Sequence, residues 1–398
     1  MRLAGSSVLA FARPGMPSTG FDERSSSAIP ILLSVRKLDW GGIERDVTKL
    51  VTGFNRERFA PHVAVYQSGG MRMAEVKRVG VPILNLNISS FASPRLVSSA
   101  LKFRRWIVER RIRVVHAYDS SAAFAVPLAR LLRVPLVLSS TLGYRELFDP
   151  RTRKQLAFAD RLVDGVVVNC EAMRRHMIGD YGFRPERTLL CYNGVETSEF
   201  FPAPAPKPDP VADASLVIGS VCVLRPEKRM ELLIEAFAPL QRMKIGLKLL
   251  ILGSGPELPK LRDRAAQLGL QQYCVFMPAV PAVAPYLRAM DIFVSCSSSE
   301  AFSNAILEAM ACGCCPVGSR VGGTPELIAD GKRGLLFESG NVEELSRKLA
   351  TLVENDSLRC TFARNAANFA AHNLNMQVAI GRMEQIYEQG LADKRKLS

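Results

Sequence analysis

The stretch SCSSSEAFSNAILEAMACG, residues 295–313, follows an apolar strand-like run and opens a helix. Ser303 and Asn304 are N-cap residues by type. The free backbone N–H groups of such a helix start suit a phosphate. Behind them Ala305, Ile306, Leu307, Ala309 and Met310 are apolar on nearly all sides, the mark of a buried helix. Glu308 is the only charge between Ala301 and Cys315. A buried carboxylate is costly unless it accepts hydrogen bonds. Sugar hydroxyls are natural donors to it, and the plain alternative is a distant Arg or Lys. Glu300, eight residues earlier, is an ordinary loop carboxylate by itself. Together with Glu308 around a helix N-terminus it reads as part of a site.

Around this segment short apolar strands alternate with amphipathic helices. Strands are expected at Leu216–Leu224, Leu247–Leu252, Cys274–Met277, Ile292–Cys296 and Gly334–Phe337. Helices are expected at Lys228–Leu240, Glu257–Leu268, Ser303–Cys312 and Val342–Glu354. Upstream, FFPAPAPKPDPVADAS (200–215) holds five prolines, which pack neither as helix nor as central strand, and reads as a semi-rigid linker. Before it the alternation recurs. Ile29–Val35 runs into a Gly-Gly turn and a helix-like stretch to Gly53. Further strands are expected at His62–Tyr66, Val81–Leu86, Arg113–His116, Pro135–Ser139 and Gly165–Asn169. This pattern predicts an α/β protein of two Rossmann-like domains, 29–199 and 216–374, facing a cleft. Ligands of such sheets bind at the carboxyl ends of the strands. Residues 1–28, rich in Ser, Ala and Gly, read as a loose tail too polar for a signal peptide.

Composition sets the outer limits. The 398 residues are 48% apolar and 23% charged, which excludes a disordered chain, a collagen and a coiled coil. No apolar run reaches the roughly 20 residues that span a bilayer, and a cytoplasmic location is expected. Nine cysteines, an odd number, show no disulfide spacing. Cys312, Cys314 and Cys315 lack a second Cys or His group nearby and read as small buried thiols, not a metal site. The net charge of +14 is lopsided: residues 1–200 carry 30 basic against 18 acidic side chains, the remainder 22 against 20. The excess is densest at Lys102, Arg104, Arg105, Arg110, Arg111 and Arg113. These form either a solvated helix face or a surface that attracts anionic lipid or a phosphorylated acceptor. No aromatic interleaving or motif points to nucleic acid.

SEAFSNAILEAMACG closely resembles the E-x7-E segment of retaining family-4 glycosyltransferases of the GT-B fold, which move a sugar from a nucleotide sugar to an acceptor. By that resemblance Glu300 contacts the donor sugar, with Phe302, Ser303 and Asn304 beside it, and Glu308 contacts the ribose. DWGGIERDV (39–47) resembles the family's N-terminal glycine-rich loop, with Gly41 and Gly42 approaching a phosphate; a plain tight turn is the alternative. YNGVETSEFFP (192–202) resembles the end of the first domain. LLILGSGPELPKL (249–261) resembles a strand–turn–helix near the nucleotide, where Gly253 and Gly255 either approach it or serve the turn. VGGTPELI (321–328) resembles the segment where Gly322, Gly323 and Thr324 approach the donor. VCVLRPEKR (221–229) resembles the phosphate-binding turn, whose lysine falls at Lys228.

The resemblance has two departures. The family's usual arginine falls at Val223, and Arg225, two residues on, either substitutes or is a surface charge. A histidine that many members carry is replaced by Thr141 and Leu142 in PLVLSSTLGYR. Of the four histidines, His116 ends a strand expected to face the cleft, where it either takes that catalytic place or holds a loop. Tyr118, Asp119 and Arg145 are acceptor-side candidates. The resemblance further implies that a last helix, 375–390, crosses back onto the first domain. It implies transfer with retention, a UDP- or GDP-linked donor as substrate, a glycan or lipid-linked acceptor, and no metal or other cofactor. A non-catalytic nucleotide-sugar binder or partner subunit, and a sugar-nucleotide epimerase, are the competing readings. The basic surface would dock the protein peripherally on the inner face of a membrane.

Overall fold

A computed structural model describes residues 28–39, 41–88, 95–204 and 206–397. The expected N-terminal tail, Trp40 and Ala205 lie outside the described residues, save Ala28 at the tail's end. The first sheet contains β1 (Ile29–Val35), β2 (Phe59–Val65), β3 (Ile83–Asn85), β4 (Val114–Tyr118), β5 (Leu136–Thr141), β6 (Gly165–Val168) and β7 (Thr188–Leu190). The second contains β8 (Leu216–Val221), β9 (Leu247–Leu252), β10 (Cys274–Met277), β11 (Ile292–Ser295), β12 (Cys315–Ser319) and β13 (Leu335–Phe337). Every pairing is parallel. The strand orders are β3-β2-β1-β4-β5-β6-β7 and β10-β9-β8-β11-β12-β13. Parallel strands buried on both faces read as continuous apolar runs, which is what Ile29–Val35 and Leu247–Leu252 are.

Each order reverses once, between β1 and β4 and between β8 and β11. Neighbouring connections there leave on opposite faces and open a crevice at the strands' carboxyl ends. The chain passes between the domains twice, side by side. Val195 forms a parallel bridge with Asn375, its N–H donating to Leu374 and its carbonyl accepting from Met376. Gly194 sits so close to this return strand that a Cβ would lie 2.7 Å from Met376 Cα.

The returning helix Met376–Leu397 lies on the first sheet. Met376, Ile380, Met383, Ile386, Tyr387 and Leu391 are buried against Val47, Phe59 and Leu136 among others. Each contributes roughly 1.5–3 kcal/mol by burial. Another apolar cluster is continuous across both domains, from Leu32 and Val166 to Phe302 and Met310. The proline-rich stretch is not a free spacer. Phe200 and Val211 are buried, and a 3-10 turn forms at Asp209–Val211. All nine cysteines are free thiols, Cys312, Cys314 and Cys315 buried.

Candidate active site

A cavity of about 330 Å³ lies between the two sets of strand ends. Gly42, Ile43, Asp46, Leu142, Asn169 and Asn193 line it from the first domain. The second domain supplies the end of β8 and the turn after it (Ser220 to Val223), Arg225, Glu227 and Lys228, and Ser295, Ser297, Glu300 and Phe302 to Ala305.

On its wall Lys228 Nζ donates to Glu300 Oε2 at 2.5 Å, and Ser297 Oγ donates to the same oxygen at 3.1 Å. Lys228 ends a 3-10 turn, Pro226–Lys228, and Arg229 follows in the left-handed region at φ +48°. This break delays the expected helix, which spans Met230–Phe237. Arg225 lines the cavity with an exposed side chain 3.9 Å from Glu227. Val223, where the family's arginine is absent, is 52% exposed. Ser303 caps the helix Asn304–Ala311 by accepting from Ile306 N–H. The Phe302 ring packs against Tyr192 at a tilt of 48°, centroids 5.5 Å apart.

Several candidate residues support the site from behind. Gly322 (φ +49°) and Gly323 lie under the backbone of Glu300 and Ala301, and Gly323 N–H donates to Ala301 at 2.7 Å. A Cβ on Gly322 would stand 1.6 Å from the Glu300 carbonyl oxygen. Thr324 is buried beside them and does not line the cavity. Gly253 and Gly255 let the 253–255 turn press on the turn after β8: their Cβ positions fall 1.8 Å from the Cys222 oxygen and 2.3 Å from the Leu224 oxygen. Gly41 precedes the helix Gly42–Gly53, whose Glu44 carboxylate folds back over it.

The acceptor-side expectations change most. His116 does not face the cleft. It is fully buried, Nδ1 is 2.8 Å from Tyr387 Oη and Nε2 2.8 Å from Ser140 Oγ. Both ring nitrogens are committed, and burial drives its pKa down to about 3, so it ties the returning helix to the sheet as a neutral ring. Tyr118 is buried over a separate small cavity beside β5 and Met376. Arg145 is buried in an ion pair with Asp160 and donates to Thr141 Oγ1 at 3.0 Å, which removes it as a free anion ligand. Asp119 opens the 3-10 turn that follows β4, at φ +46°. Burial raises its pKa to about 7, against the Leu142 N–H and Arg145. None of these three lines the main cavity.

Glu308 faces a cation of the other domain. Arg45 Nη1 stands 2.5 Å from its Oε1. Beside this pair Asn304 Nδ2 donates to both Asp46 oxygens at 3.2 and 3.3 Å, and Asn193 Nδ2 donates to Asn304 Oδ1 at 2.9 Å. The sequence reading missed Arg45, Asp46, Asn193 and Ser297. The first two stood in the quoted DWGGIERDV, where only the glycines drew notice. Among the described residues no group of three or more His, Cys, Asp or Glu side chains is placed to hold a metal, and no helix is long and apolar enough to cross a membrane.

Comparison with known proteins agrees with this architecture. Residues 206–369 match the model of glycosyl transferases group 1, and residues 40–199 that of glycosyltransferase family 4. An N-acetyl-alpha-D-glucosaminyl L-malate synthase of Bacillus anthracis is 27% identical over 46% of this chain and 48% of its own length. A D-inositol 3-phosphate glycosyltransferase of Geodermatophilus obscurus is 30% identical over 59% of this chain and 56% of its own. The match thus spans about half the length of these curated relatives. The crystal structure of Anabaena HepE in complex with UDP superposes with a TM-score of 0.80 at 20% identity, covering 91% of this chain and all of that one. The chain belongs to the group 1, family 4 glycosyltransferases and has their GT-B architecture of two Rossmann-like domains around a cleft.

Proposed function

We propose that this protein moves a sugar from a UDP- or GDP-linked donor to a glycan or lipid-linked acceptor with retention of anomeric configuration. The observation that carries the reading is the cavity at the facing strand ends, lined by the Lys228–Glu300 pair and by a capped helix N-terminus. The presence of UDP in the Anabaena structure and the sugar-transfer names of the relatives support it. Glu300, on the cavity wall, faces the donor sugar; Glu308, buried one helical turn beyond the cavity-lining Asn304, faces the ribose. The bond from the anomeric carbon to the diphosphate breaks, the acceptor oxygen bonds that carbon from the same face, and its proton passes to the leaving diphosphate. Lys228, Arg225 and the amides at Ser303 and Asn304 offset the charge that develops there. These cationic groups take the part a metal would otherwise take, and no metal or other cofactor is assigned.

The first domain adds a surface. The helix Arg95–Glu109 buries Ser99, Phe103 and Ile107 and presents Val97, Leu101 and Val108 outward beside Lys102, Arg104 and Arg105. Apolar side chains framed by cations fit an anionic lipid surface, and the acceptor is then lipid-linked.

A donor screen by thermal shift, followed by incubation with radiolabelled UDP- and GDP-sugars, tests the reading. Nucleotide release that needs an acceptor is expected, and it falls by about 10²–10³ in Glu300→Gln. Chelators leave the rate unchanged. Binding without turnover over a broad acceptor set overturns the enzymatic reading in favour of a nucleotide-sugar binder, which Val223 and the buried His116 favour. Conversion of the sugar nucleotide without acceptor identifies an epimerase instead.

A further inference from the structure

Two polar pairs close the seam between the helix Gly42–Gly53 and the helix Asn304–Ala311. Arg45 and Asp46 are neighbours on one helix; Glu308 and Asn304 stand one turn apart on the other. Arg45 therefore meets Glu308 while Asp46 meets Asn304.

Glu308 is 5% exposed. Burial raises its pKa, and Arg45 and Lys49 oppose that rise. Both cations belong to the other domain. A buried carboxylate whose partner is removed either stays charged at great cost or takes up a proton. A protonated Glu308 is a poorer acceptor for a ribose hydroxyl. The charge of Glu308, the proposed ribose ligand, thus depends on a residue of the other domain.

We infer that Arg45 is a positioning residue for the donor nucleotide: by reaching across the seam between the domains to Glu308 Oε1 it keeps that carboxylate charged and aimed at the ribose. The inference rests on the proposed contact between Glu308 and the donor. Arg45 itself touches no reacting atom.

The test is calorimetric titration of UDP and of GDP into the whole protein and its Arg45→Ala, Arg45→Lys and Arg45→Ala/Glu308→Gln variants, at pH 7.5 and pH 6.0. The groups facing Glu308 are Arg45, Asp46 and Lys49 from the first helix and Glu199 from the interdomain segment. Loss of Arg45 should weaken the better nucleotide by about tenfold at pH 7.5. The loss should deepen at pH 6.0, because a carboxylate with a raised pKa gains its proton as pH falls. Arg45→Lys keeps the charge and should stay within about threefold of the parent at both pH values. Adding Glu308→Gln to Arg45→Ala should remove the extra pH dependence, which separates Glu308 from Asp46. Unchanged affinity in Arg45→Ala overturns the inference. So does an equal loss at both pH values that lysine does not rescue, since that is the signature of a structural residue. If the parent protein binds neither nucleotide, the donor reading fails first.

Discussion

Glu326 of the second domain caps a helix of the first: its two carboxylate oxygens accept the backbone N–H groups of Glu171 and Ala172 at 2.9 and 2.8 Å. Tyr192 Oη donates to the same carboxylate at 2.8 Å. The helix Glu171–Gly179 has only the thiol of Cys170 as its own N-cap acceptor, at 3.3 Å from Met173 N, and sulfur is a weak acceptor. Its first amides therefore depend on the neighbouring domain. Glu326→Ala should cost about 1 kcal/mol, as loss of an N-cap does, and lower the thermal midpoint by about 2 °C. Glu326→Gln, which retains one oxygen, should lose less. An unchanged midpoint in Glu326→Ala would show that water caps this helix equally well.

Gly322→Ala addresses the floor of the site. At φ +49° an alanine is strained, and its methyl would collide with the Glu300 carbonyl oxygen at 1.6 Å. The Glu300 loop must move, and a shift of about 1 Å costs about 10²-fold in rate. The expected result is a fall in turnover by that factor, with a far-ultraviolet circular dichroism spectrum like the parent's. Full activity would mean that the loop relaxes without displacing the carboxylate.

His116 should matter for stability against acid, not for catalysis. Its folded pKa is about 3 against 6.5 in a solvated chain, so the unfolded state binds the extra proton between those values. Stability is therefore fully present above about pH 6.5 and declines as pH falls toward 3, by up to about 1.4 kcal/mol per pH unit. His116→Gln removes that contribution. Urea unfolding at pH 6 and pH 5 should show the parent losing about 1 kcal/mol more than the variant over this step. The pH profile of turnover above pH 6 should be the same for both; a shifted profile would return His116 to the catalytic machinery.

The sheets and the cleft were legible because fully buried parallel strands announce themselves as apolar runs. β1, β9 and β10 have the bounds read from the sequence. β12 was not read. Pro316, which has no N–H to donate, sits inside a strand paired on both sides by β11 and β13, and Cys314 and Cys315 read only as thiols. β7 is three residues long at the sheet's edge. The helix Asp356–Asn373 carries apolar and polar residues with little segregation, so periodicity did not mark it. Glu300, Lys228 and Ser303, which line the cavity, stand out in the sequence as candidates because they lie in one domain and in short motifs. The partners of Glu308 and Asn304 do not, because the contact between Asn304 and Asp46 joins residues 258 apart, and no local pattern encodes that distance.

Membrane docking is the prediction with the widest reach. Val97, Leu101 and Val108 are 67%, 61% and 57% exposed on one helix face. Their spacing of four and seven residues keeps them in line. Three exposed aliphatic residues aligned beside Lys102, Arg104 and Arg105 match the chemistry of an anionic bilayer surface. Not every cation there counts equally: Arg105 donates to Glu109 at 2.6 Å, and Arg110 lies 3.6 Å over the Trp106 ring. Each free cation near the surface contributes about 1 kcal/mol, screened within a Debye length of about 10 Å at 0.1 M salt. The protein should sediment with phosphatidylglycerol vesicles at low salt and return to the supernatant at high salt. Leu101→Asp should abolish sedimentation through the apolar stripe, and Arg104→Glu through the charge, while both leave turnover of a soluble acceptor unchanged. Protein that stays in the supernatant at low salt removes the membrane from the account and leaves a soluble glycan as the acceptor to seek.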